Sequence, residues 1–327
     1  MKTNQVMAVF AATTLLLAAC SNEENFGNNE KPWDGRLHFS SKVAELTRTG
    51  TYNLDTKIAN NEKVWLYIDK NTGATQIYNK ELTADGSGGF SGDENMVYPA
   101  GEDNISLYAF HGNITYNDGG NKTSMPDNYP TVEFTHAVKA DQKTEADYAK
   151  SDLLYAKETK TQQDVKDASG AVALTFKHLL SKIEVVLKKG TTMGAGINIT
   201  KVEILNTKLK GTFTPAKATN ADAVAVTVAA ADNTAAPIEI NADLTTGGDV
   251  LNEAIIIPQT VANEAQFIKV TLSTGGILYY KLKKETTFAK GTKYKYTITA
   301  NLTDLTVTSE VTGWGTGTGD DSGSAIM

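Results

Sequence analysis

Short runs typical of β-strands recur along this chain, and no long segment has the periodicity of an α-helix. Positions 224, 226 and 228 are all valine, and Tyr294, Tyr296 and Ile298 alternate with polar residues in the same way. A period of two buries one face of a strand and leaves the other in water. Clusters of glycine, asparagine and aspartate separate the runs, as turns require. The pattern predicts an all-β fold with two β-sandwiches in series.

The first twenty residues have the pattern of a bacterial lipoprotein export signal. Lys2 precedes an apolar run at residues 6–17, and Cys20, the only cysteine of the chain, follows two alanines. The apolar run is too short to span a membrane stably. We therefore expect residues 1–19 to be a signal peptide that is removed and Cys20 to carry the lipid. A plain secretory signal with a chance cysteine is the alternative.

Composition divides the rest of the chain into three parts. Residues 20–35 are polar and predict a solvated tether between the lipid and the fold. The chain becomes polar again at residues 157–170, with almost nothing to bury, and we place a domain boundary there. The predicted domains are an N-terminal β-sandwich at residues 36–165 and a C-terminal β-sandwich at residues 166–327.

The sequence lacks the common motifs of catalysis and metal binding. Four histidines stand singly, without the spacing of zinc ligands, and we interpret them as surface or strand residues; they are His38, His111, His136 and His178. The stretch Asp69-Lys-Asn-Thr-Gly73 departs from the calcium-loop pattern and is interpreted as a hairpin turn. Without a nucleophile elbow, a Walker loop or a dinucleotide fingerprint, the sequence predicts no enzyme, no metal site and no cofactor.

Charge and aromatic content narrow the choice of partners. Acidic residues outnumber basic ones by 38 to 31, which gives no reason to expect a nucleic acid or an anionic lipid surface as a ligand. Aromatic faces could stack on a glycan. Trp65, Tyr108, Tyr279 and Tyr280 lie in strand patterns, however, and we expect them mainly in the core.

Arginine occurs at only two positions, Arg36 and Arg48, both near the start of the chain. An arginine-specific protease would cut only there, and Leu46-Thr-Arg-Thr-Gly50 has the small residues of an exposed site. A lysine-biased composition explains the same distribution without any cleavage. A cut after Arg48 would remove the strand predicted at residues 37–43. An apolar groove between two unpaired edges would remain, and such a groove accepts a strand from another molecule.

Several segments, in their order and spacing, resemble the fimbrillin superfamily of Bacteroidota, the Mfa-like group that includes major and minor fimbrial subunits. They are the lipobox ending in Cys20, the opening Leu37-His-Phe-Ser with Thr47-Arg48, the tract Ala149-Lys-Ser-Asp-Leu-Leu-Tyr-Ala156, the segment Leu174-Thr-Phe-Lys-His-Leu-Leu-Ser-Lys-Ile183, and the closing Tyr294-Lys-Tyr-Thr-Ile298 with Val311-Thr-Gly-Trp314. The resemblance implies two transthyretin-like β-sandwich domains and lipoprotein export to the outer membrane. It also implies removal of the N-terminal strand by a trypsin-like protease, and assembly in which a C-terminal strand of one subunit fills the groove of its neighbour.

Carried onto this sequence, the resemblance makes Cys20 the lipidation site and Arg48 the protease site. Arg36 is a weaker cleavage candidate, because a cut there would leave the first strand in place. The glycine-rich tail after position 314 is a poor strand, so any donor strand lies near residues 302–314.

The resulting functional hypothesis is a structural, adhesive subunit of a fimbria at the outer membrane and cell surface. Its expected partners are other fimbrial subunits, the membrane that holds the lipid, and a maturation protease. The alternative is a permanently lipid-anchored surface protein that binds a glycan or another ligand. The two differ in whether Arg48 is cut and in whether an aromatic patch is exposed.

Overall fold

A computed structural model describes residues 33–44, 51–70, 75–101, 103–214, 217, 224–230, 234–246, 249–314 and 323–325. The strands up to residue 189 are β1 (His38–Val43), β2 (Lys63–Lys70), β3 (Thr75–Ala84), β4 (Phe90–Ser91), β5 (Asn104–His111), β6 (Ile114–Asn117), β7 (Asn121–Lys122), β8 (Phe134–Ala137), β9 (Leu154–Thr161), β10 (Ala171–His178) and β11 (Ser181–Lys189). The later strands are β12 (Ile199–Ile204), β13 (Lys210–Phe213), β14 (Thr227–Val228), β15 (Ile238–Ile240), β16 (Asn252–Ile256), β17 (Gln259–Val261), β18 (Gln266–Leu272), β19 (Ile277–Lys281), β20 (Thr286–Phe288), β21 (Thr292–Ala300), β22 (Leu305–Gly313) and β23 (Gly323–Ala325).

Two facing sheets are built mainly from the first half of the chain. One has seven strands in the order β1-β10-β9-β5-β2-β3-β4, and the other has five in the order β14-β13-β8-β6-β7. Trp65 of β2 meets Phe134 of β8 edge-on, with 6.0 Å between the ring centroids. Phe110 of β5 lies 6.4 Å from Phe213 of β13. These rings fill the space between the sheets, as inward-facing side chains do in a β-sandwich.

A second pair of sheets is built from the later strands. Their orders are β16-β11-β21-β22-β23 and β15-β12-β18-β19, and β17 pairs with β20 beside them. Tyr296 of β21 contacts Phe267 of β18 and Tyr280 of β19, at 5.6 and 5.7 Å between ring centroids. Tyr294, Tyr296 and Ile298 are all buried, so the predicted period-two pattern of this strand is confirmed. The predicted all-β fold is confirmed as well.

Two short helices interrupt the strands, α1 (Glu145–Ser151) and α2 (Gln162–Asp167). Thr161 Oγ1 accepts a hydrogen bond from Asp164 N at 3.0 Å, and Asp164 Oδ2 accepts one from Thr161 N at 3.1 Å, which together form a capping box. Val165 of α2 is buried. The polar stretch at residues 157–170 therefore holds the end of β9 and a capped helix with one core residue. In the described part of the chain, no helix is long and apolar enough to cross a membrane.

Strands from both sides of residue 165 share sheets. β10 lies between β1 and β9, and β13 pairs with β8. The described residues from Gly35 onwards form a single compact unit. A boundary at 165/166 would separate β10 from both of its neighbours, and the division into two domains at that point stays a prediction.

The interpretation of the aromatic and histidine residues is largely confirmed. Trp65, Tyr108 and Tyr280 are buried, and Tyr279 is half-buried. Each of the four histidines lies in a strand, β1, β5, β8 or β10. Asp69 lies in β2, where its carboxylate pairs with the Lys217 ammonium. β2 and β3 pair antiparallel, as a hairpin requires, although residues 71–74 of the predicted turn lie outside the described ranges.

Candidate functional site

Two of the predicted site residues, Cys20 and Arg48, lie outside the described residues. Arg36 is described and exposed, and it forms an isolated antiparallel bridge with Val97. The strand predicted at residues 37–43 is observed as β1. β1 is therefore the part of the predicted site that can be described from its contacts.

β1 is hydrogen-bonded along both edges. On one side it pairs in parallel with β10 over its whole length. On the other side, Ser41 N donates to Gly88 O at 2.7 Å and Leu37 N donates to Met96 O at 2.9 Å. Successive N–H groups of an extended chain point to opposite sides, so alternate residues of β1 serve each neighbour. β1 thus fills a gap between β10 and residues 88–96.

The side chains of Leu37 and of β1, which follows it, alternate between core and solvent. Leu37, Phe39 and Val43 are only 1%, 5% and 1% exposed, Ser41 is half-buried, and the residues between them are exposed. Phe39 N also donates to Asp93 Oδ2 at 3.1 Å. Loss of β1 would therefore uncover apolar surface that lies between two unpaired edges.

The turn between β3 and β4 brings one of these edges to β1. Asp85 Oδ1 accepts hydrogen bonds from Ser87 N at 2.7 Å and Gly89 N at 2.9 Å. These backbone hydrogen bonds hold the pKa of Asp85 below its usual value. Gly88 has φ of 107°, and a Cβ at this position would lie 3.2 Å from Ser41 O. Glycine at position 88 therefore permits the close approach of the turn to β1.

Residues 51–55 attach the chain that follows β1 to β16 and β11. Thr51 N donates to Glu253 Oε2 at 2.7 Å, and Thr51 Oγ1 donates to Leu251 O. Lys182 Nζ donates to both carboxylate oxygens of Asp55, each at 2.7 Å. None of these three contacts involves β1.

Asp55 belongs to a group of buried charges that we call the ionic cluster, formed by Asp55, Lys182, Glu184, Glu253 and Lys293. Lys182 Nζ lies 3.2 Å from Glu184 Oε1 and closer still to Glu253 Oε1. Lys293 Nζ lies 3.8 Å from Asp55 Oδ2. Glu184 of β11 is directly opposite Glu253 of β16, and the Lys182 ammonium offsets this like-charge pair. The three carboxylates are close enough together to hold a cation, but the ammonium already lies among them.

Burial and neighbouring charges shift the pKa values in the ionic cluster in opposite directions. Burial would lower the pKa of Lys182, but the carboxylates of Glu253, Asp55 and Glu184 raise it well above its usual value. Burial would raise the pKa of Asp55, and the Lys182 charge lowers it instead. For Glu253, burial outweighs Lys182 and raises the pKa to about 7. Lys182 and Asp55 are therefore charged at neutral pH, whereas Glu253 exchanges a proton there.

The residue after β22 packs beside the ionic cluster. Trp314 is 2% exposed and stacks on His178, with 3.6 Å between ring centroids. The Trp314 ring centroid lies 5.8 Å from Lys182 Nζ. His178 Nδ1 lies 2.8 Å from Asp152 Oδ2, and His178 Nε2 lies 3.2 Å from Asp55 O. The end of β10, the end of β22 and residues 51–55 therefore meet at one place.

The predicted donor region at residues 302–314 contains β22. This strand pairs antiparallel with β21 over nine positions. Leu305 and Val307 are buried, Ser309 and Val311 are half-buried, and the residues between them are exposed. In the structure, the predicted donor is thus part of its own subunit's sheet.

The ionic cluster is the feature that the sequence reasoning missed. Its acidic and basic members are spread from Asp55 to Lys293, and no local motif links them. One signal was available in the run Lys182-Ile-Glu-Val-Val-Leu187, where two charged residues stand within an otherwise apolar strand. Both charges are buried, like the other residues of β11 up to Leu187, and burial of a charge requires a partner of opposite sign.

The facing sheets and the inserted strand define the class of the molecule as an all-β protein with β-sandwich packing. Solved structures with this fold include a candidate cell adhesion protein from Bacteroides uniformis, with 20% identity, a TM-score of 0.57, and coverage of 86% of this chain and all of that one. Another is a candidate cell adhesion protein from Bacteroides ovatus, with 17% identity, a TM-score of 0.57, and coverage of 86% of this chain and 98% of that one. At such identities the likeness shows the fold alone.

The amino-acid sequence shows which family the chain belongs to. The family model described as fimbrillin-like matches residues 47–314, which is most of the chain. No curated protein matches the sequence. The chain belongs to the fimbrillin-like family, and the predicted resemblance to fimbrillins is confirmed.

Proposed function

We propose that this chain is a structural, non-enzymatic subunit of a surface fimbria, exported as a lipoprotein through Cys20 and matured by a cut after Arg48. Membership in the fimbrillin-like family supports the role in a fimbria. The observation that carries the maturation step is the arrangement of β1, which is hydrogen-bonded on both edges and buries Leu37, Phe39 and Val43. A strand held in this way leaves a defined vacancy when it is removed.

The vacancy would have the dimensions of a single strand. Neighbouring strands in a sheet lie about 4.8 Å apart, so β10 and residues 88–96 would be separated by roughly 10 Å. One edge would offer the N–H and C=O groups of β10, and the other would offer Gly88 O and Met96 O. Unpaired strand edges of this kind are templates for an added strand.

The position of the cut would release the lipid and open the groove in one step. Cys20 and β1 both precede Arg48 in the sequence, so they would leave together. The chain after the cut would stay attached, because Thr51 and Asp55 bind β16 and β11. Lipid attachment would thus hold the precursor at the outer membrane until a maturation protease acts.

The donor strand that we propose is β22 of a neighbouring subunit, because its sequence repeats the inward-facing pattern of β1. Leu305, Val307, Ser309 and Val311 have the same spacing as the residues at 37, 39, 41 and 43, which are leucine, phenylalanine, serine and valine. The burial of the two strands also alternates in the same order. β22 would have to leave both β21 and β23 to act as the donor.

The alternative function, a permanently anchored glycan-binding protein, would need an exposed aromatic surface. Among the residues that the structure describes, the exposed large apolar side chains are Val97, Val132, Ile277 and Leu302, none of them aromatic. The described contacts therefore support the fimbrial subunit.

The N-terminal sequence of the subunit in purified filaments tests the maturation step. We expect the filament subunit to begin at Thr49, with the acylated Cys20 segment absent. The variant Arg48→Ala should remain full-length and stay out of filaments. The matched control Arg36→Ala should be cut and assembled normally, because it leaves Arg48 intact. Filament shafts built from subunits that still begin at Cys20 would contradict the proposal.

Peptide binding tests the donor strand separately. A synthetic peptide of residues 302–314 should bind the chain cut after Arg48 and should not bind the uncut chain, whose groove holds β1. The same peptide with Leu305 and Val307 replaced by aspartate should lose binding, since the groove is apolar at these positions. Equal binding of both peptides would argue against β22 as the donor.

A further inference from the structure

We propose that Lys182 and Asp55 form an intramolecular isopeptide bond in the folded chain, with Glu253 as the catalytic residue that carries the proton. The bond would be an amide between the Lys182 Nζ and the Asp55 side-chain carbon. It would link residues 127 apart in the sequence. This inference does not depend on cleavage at Arg48 or on assembly.

The geometry at Lys182 brings the two reacting groups together. Lys182 Nζ lies 2.7 Å from each oxygen of Asp55, so the nitrogen is already in contact with the carboxyl group whose carbon it would attack. His178 Nε2 lies 3.2 Å from Asp55 O, which fixes the backbone of the acceptor residue. Holding a nucleophile against its electrophile replaces a bimolecular encounter by a unimolecular step.

The site is closed to water. The side chain of Lys182 is fully buried, and those of Asp55 and Glu253 are 4% and 1% exposed. The stacked rings of Trp314 and His178 lie beside them. Exclusion of water favours loss of a water molecule from the pair and protects the amide from hydrolysis.

Glu253 is placed to move the proton. Its Oε1 contacts Lys182 Nζ directly, and its carboxylate oxygen lies within 4.8 Å of one from Asp55. Burial raises the pKa of Glu253 to about 7, so this carboxyl group both accepts and returns a proton near neutral pH. Glu184 Oε1, at 3.2 Å from Nζ, helps to orient the ammonium.

The resting pair is ionic, so the reaction begins with a proton transfer. One proton passes from Lys182 Nζ to Glu253 and from Glu253 to an Asp55 carboxylate oxygen, and the neutral nitrogen then attacks the carbon of the neutral carboxyl group to form a C–N bond. One C–O bond breaks, and its oxygen leaves as water with two hydrogens that began on Nζ, one of them transferred through Glu253. The ammonium and the carboxylate become an amide and water, Glu253 is unchanged, and nothing is oxidised or reduced. The product no longer contains one buried charge of each sign, and burial of such charges is costly.

Peptide mapping of the full-length chain tests the bond. The chain is held at neutral pH, unfolded in denaturant and digested with trypsin, which does not cut after an acylated lysine. We expect a species in which the peptide containing Asp55 is joined at Lys182, lighter than the sum of the two peptides by one water molecule. Complete tryptic cleavage after Lys182, with no joined species, would overturn the proposal without reference to any variant.

Variants separate the roles of the three residues. Glu253→Gln should slow formation of the joined species by at least about tenfold, as loss of a proton carrier does, and Lys182→Met should abolish it. Asp55→Asn should still form the bond by releasing ammonia, giving a joined species of the same mass as the wild type. Glu203→Gln is the matched control, because Glu203 is also a buried glutamate that pairs with lysines, Lys201 and Lys269, but lies in β12, away from Lys182; it should leave the bond intact. Equal rates in the Glu253→Gln and Glu203→Gln variants would overturn the catalytic role of Glu253.

Discussion

The first strand, β1, and the long C-terminal strand, β22, show the same inward pattern but are held in different ways. β1 is placed by residues far away in the sequence, with β10 on one edge and residues 88–96 on the other. β22 follows β21 after a short turn and pairs with it along nine positions. Trp314, directly after β22, packs on His178 next to the ionic cluster. A single cut would free β1, whereas β22 can leave only if it separates from both β21 and β23 and the buried Trp314 leaves its site.

The largest loss of stability that we expect from a single substitution is at Trp314. Trp314→Ala should lower the free energy of unfolding by about 4 kcal/mol, since it removes a large buried side chain and leaves a cavity beside His178. Chemical denaturation measures this, and the loss should be the same in the uncut chain and in the chain cut after Arg48. Leu302→Ala, at a position that is 47% exposed, is the control and should change stability by less than about 0.5 kcal/mol. A loss seen only in the uncut chain would mean that Trp314 acts through β1.

A comparable substitution in β1 should lower the stability of the uncut chain only. Phe39→Ala should lower the free energy of unfolding of the uncut chain by about 3 kcal/mol, because Phe39 is 5% exposed. After an arginine-specific protease has removed β1, the variant and the wild type should unfold at the same denaturant concentration. Ser40→Ala, at an exposed position of the same strand, should have little effect in either form. A stability difference that survives proteolysis would show that β1 is still bound after the cut.

These two strands also show what the sequence can and cannot reveal. Period-two burial is a local property, so the strands at residues 37–43 and 294–298 could be predicted from their own residues. The second edge of β1 could not, because it depends on a turn that ends about 50 positions later and on Gly88, whose φ of 107° permits the close approach.

The ionic cluster was hidden for a similar reason. Lys182 can be buried only because the carboxylates of Asp55 and Glu253, on other segments of the chain, pair with it. The helix α2 was within reach of the sequence, since Thr161 and Asp164 have the spacing of a capping box. The polar composition of residues 157–170 hides this helix, because only one of its residues, Val165, is buried.

The stability of the chain should also depend on pH through His136, which lies in neither β1 nor β22. Burial of His136 in β8 lowers its pKa to about 4 from an ordinary value of 6.5. Between these values the unfolded chain binds more protons, so stability is complete above pH 6.5 and is lost as the pH falls towards 4. Between pH 6.5 and pH 5 we expect this residue to contribute a loss of roughly 2 kcal/mol.

The contribution of His136 is measured by comparing the wild type with the variant His136→Gln. His136→Gln keeps a donor for Ser151 O, to which His136 Nε2 lies at 2.9 Å, but cannot take up a proton. Denaturation curves at the two pH values should therefore show a smaller acid loss for this variant, in both the cut and the uncut chain. An acid loss that disappears when β1 is removed would mean that β1, and not His136, titrates in this range.

The smallest change in stability is expected at residues 51–55, which would hold the new N-terminus after the cut. Thr51→Val removes the hydroxyl that donates to Leu251 O while leaving Thr51 N free to donate to Glu253. One hydrogen bond contributes about 1 kcal/mol to the free energy of unfolding. The loss should be at least as large in the cut chain, which no longer has the hydrogen bond from Val43 N of β1 to Thr56 O, the residue next to this segment. Denaturation of both forms measures it, with Thr306→Val at an exposed position of β22 as the control. If the loss vanished in the cut chain, residues 51–55 would be bound only while β1 is present, and the cut would release more than one strand.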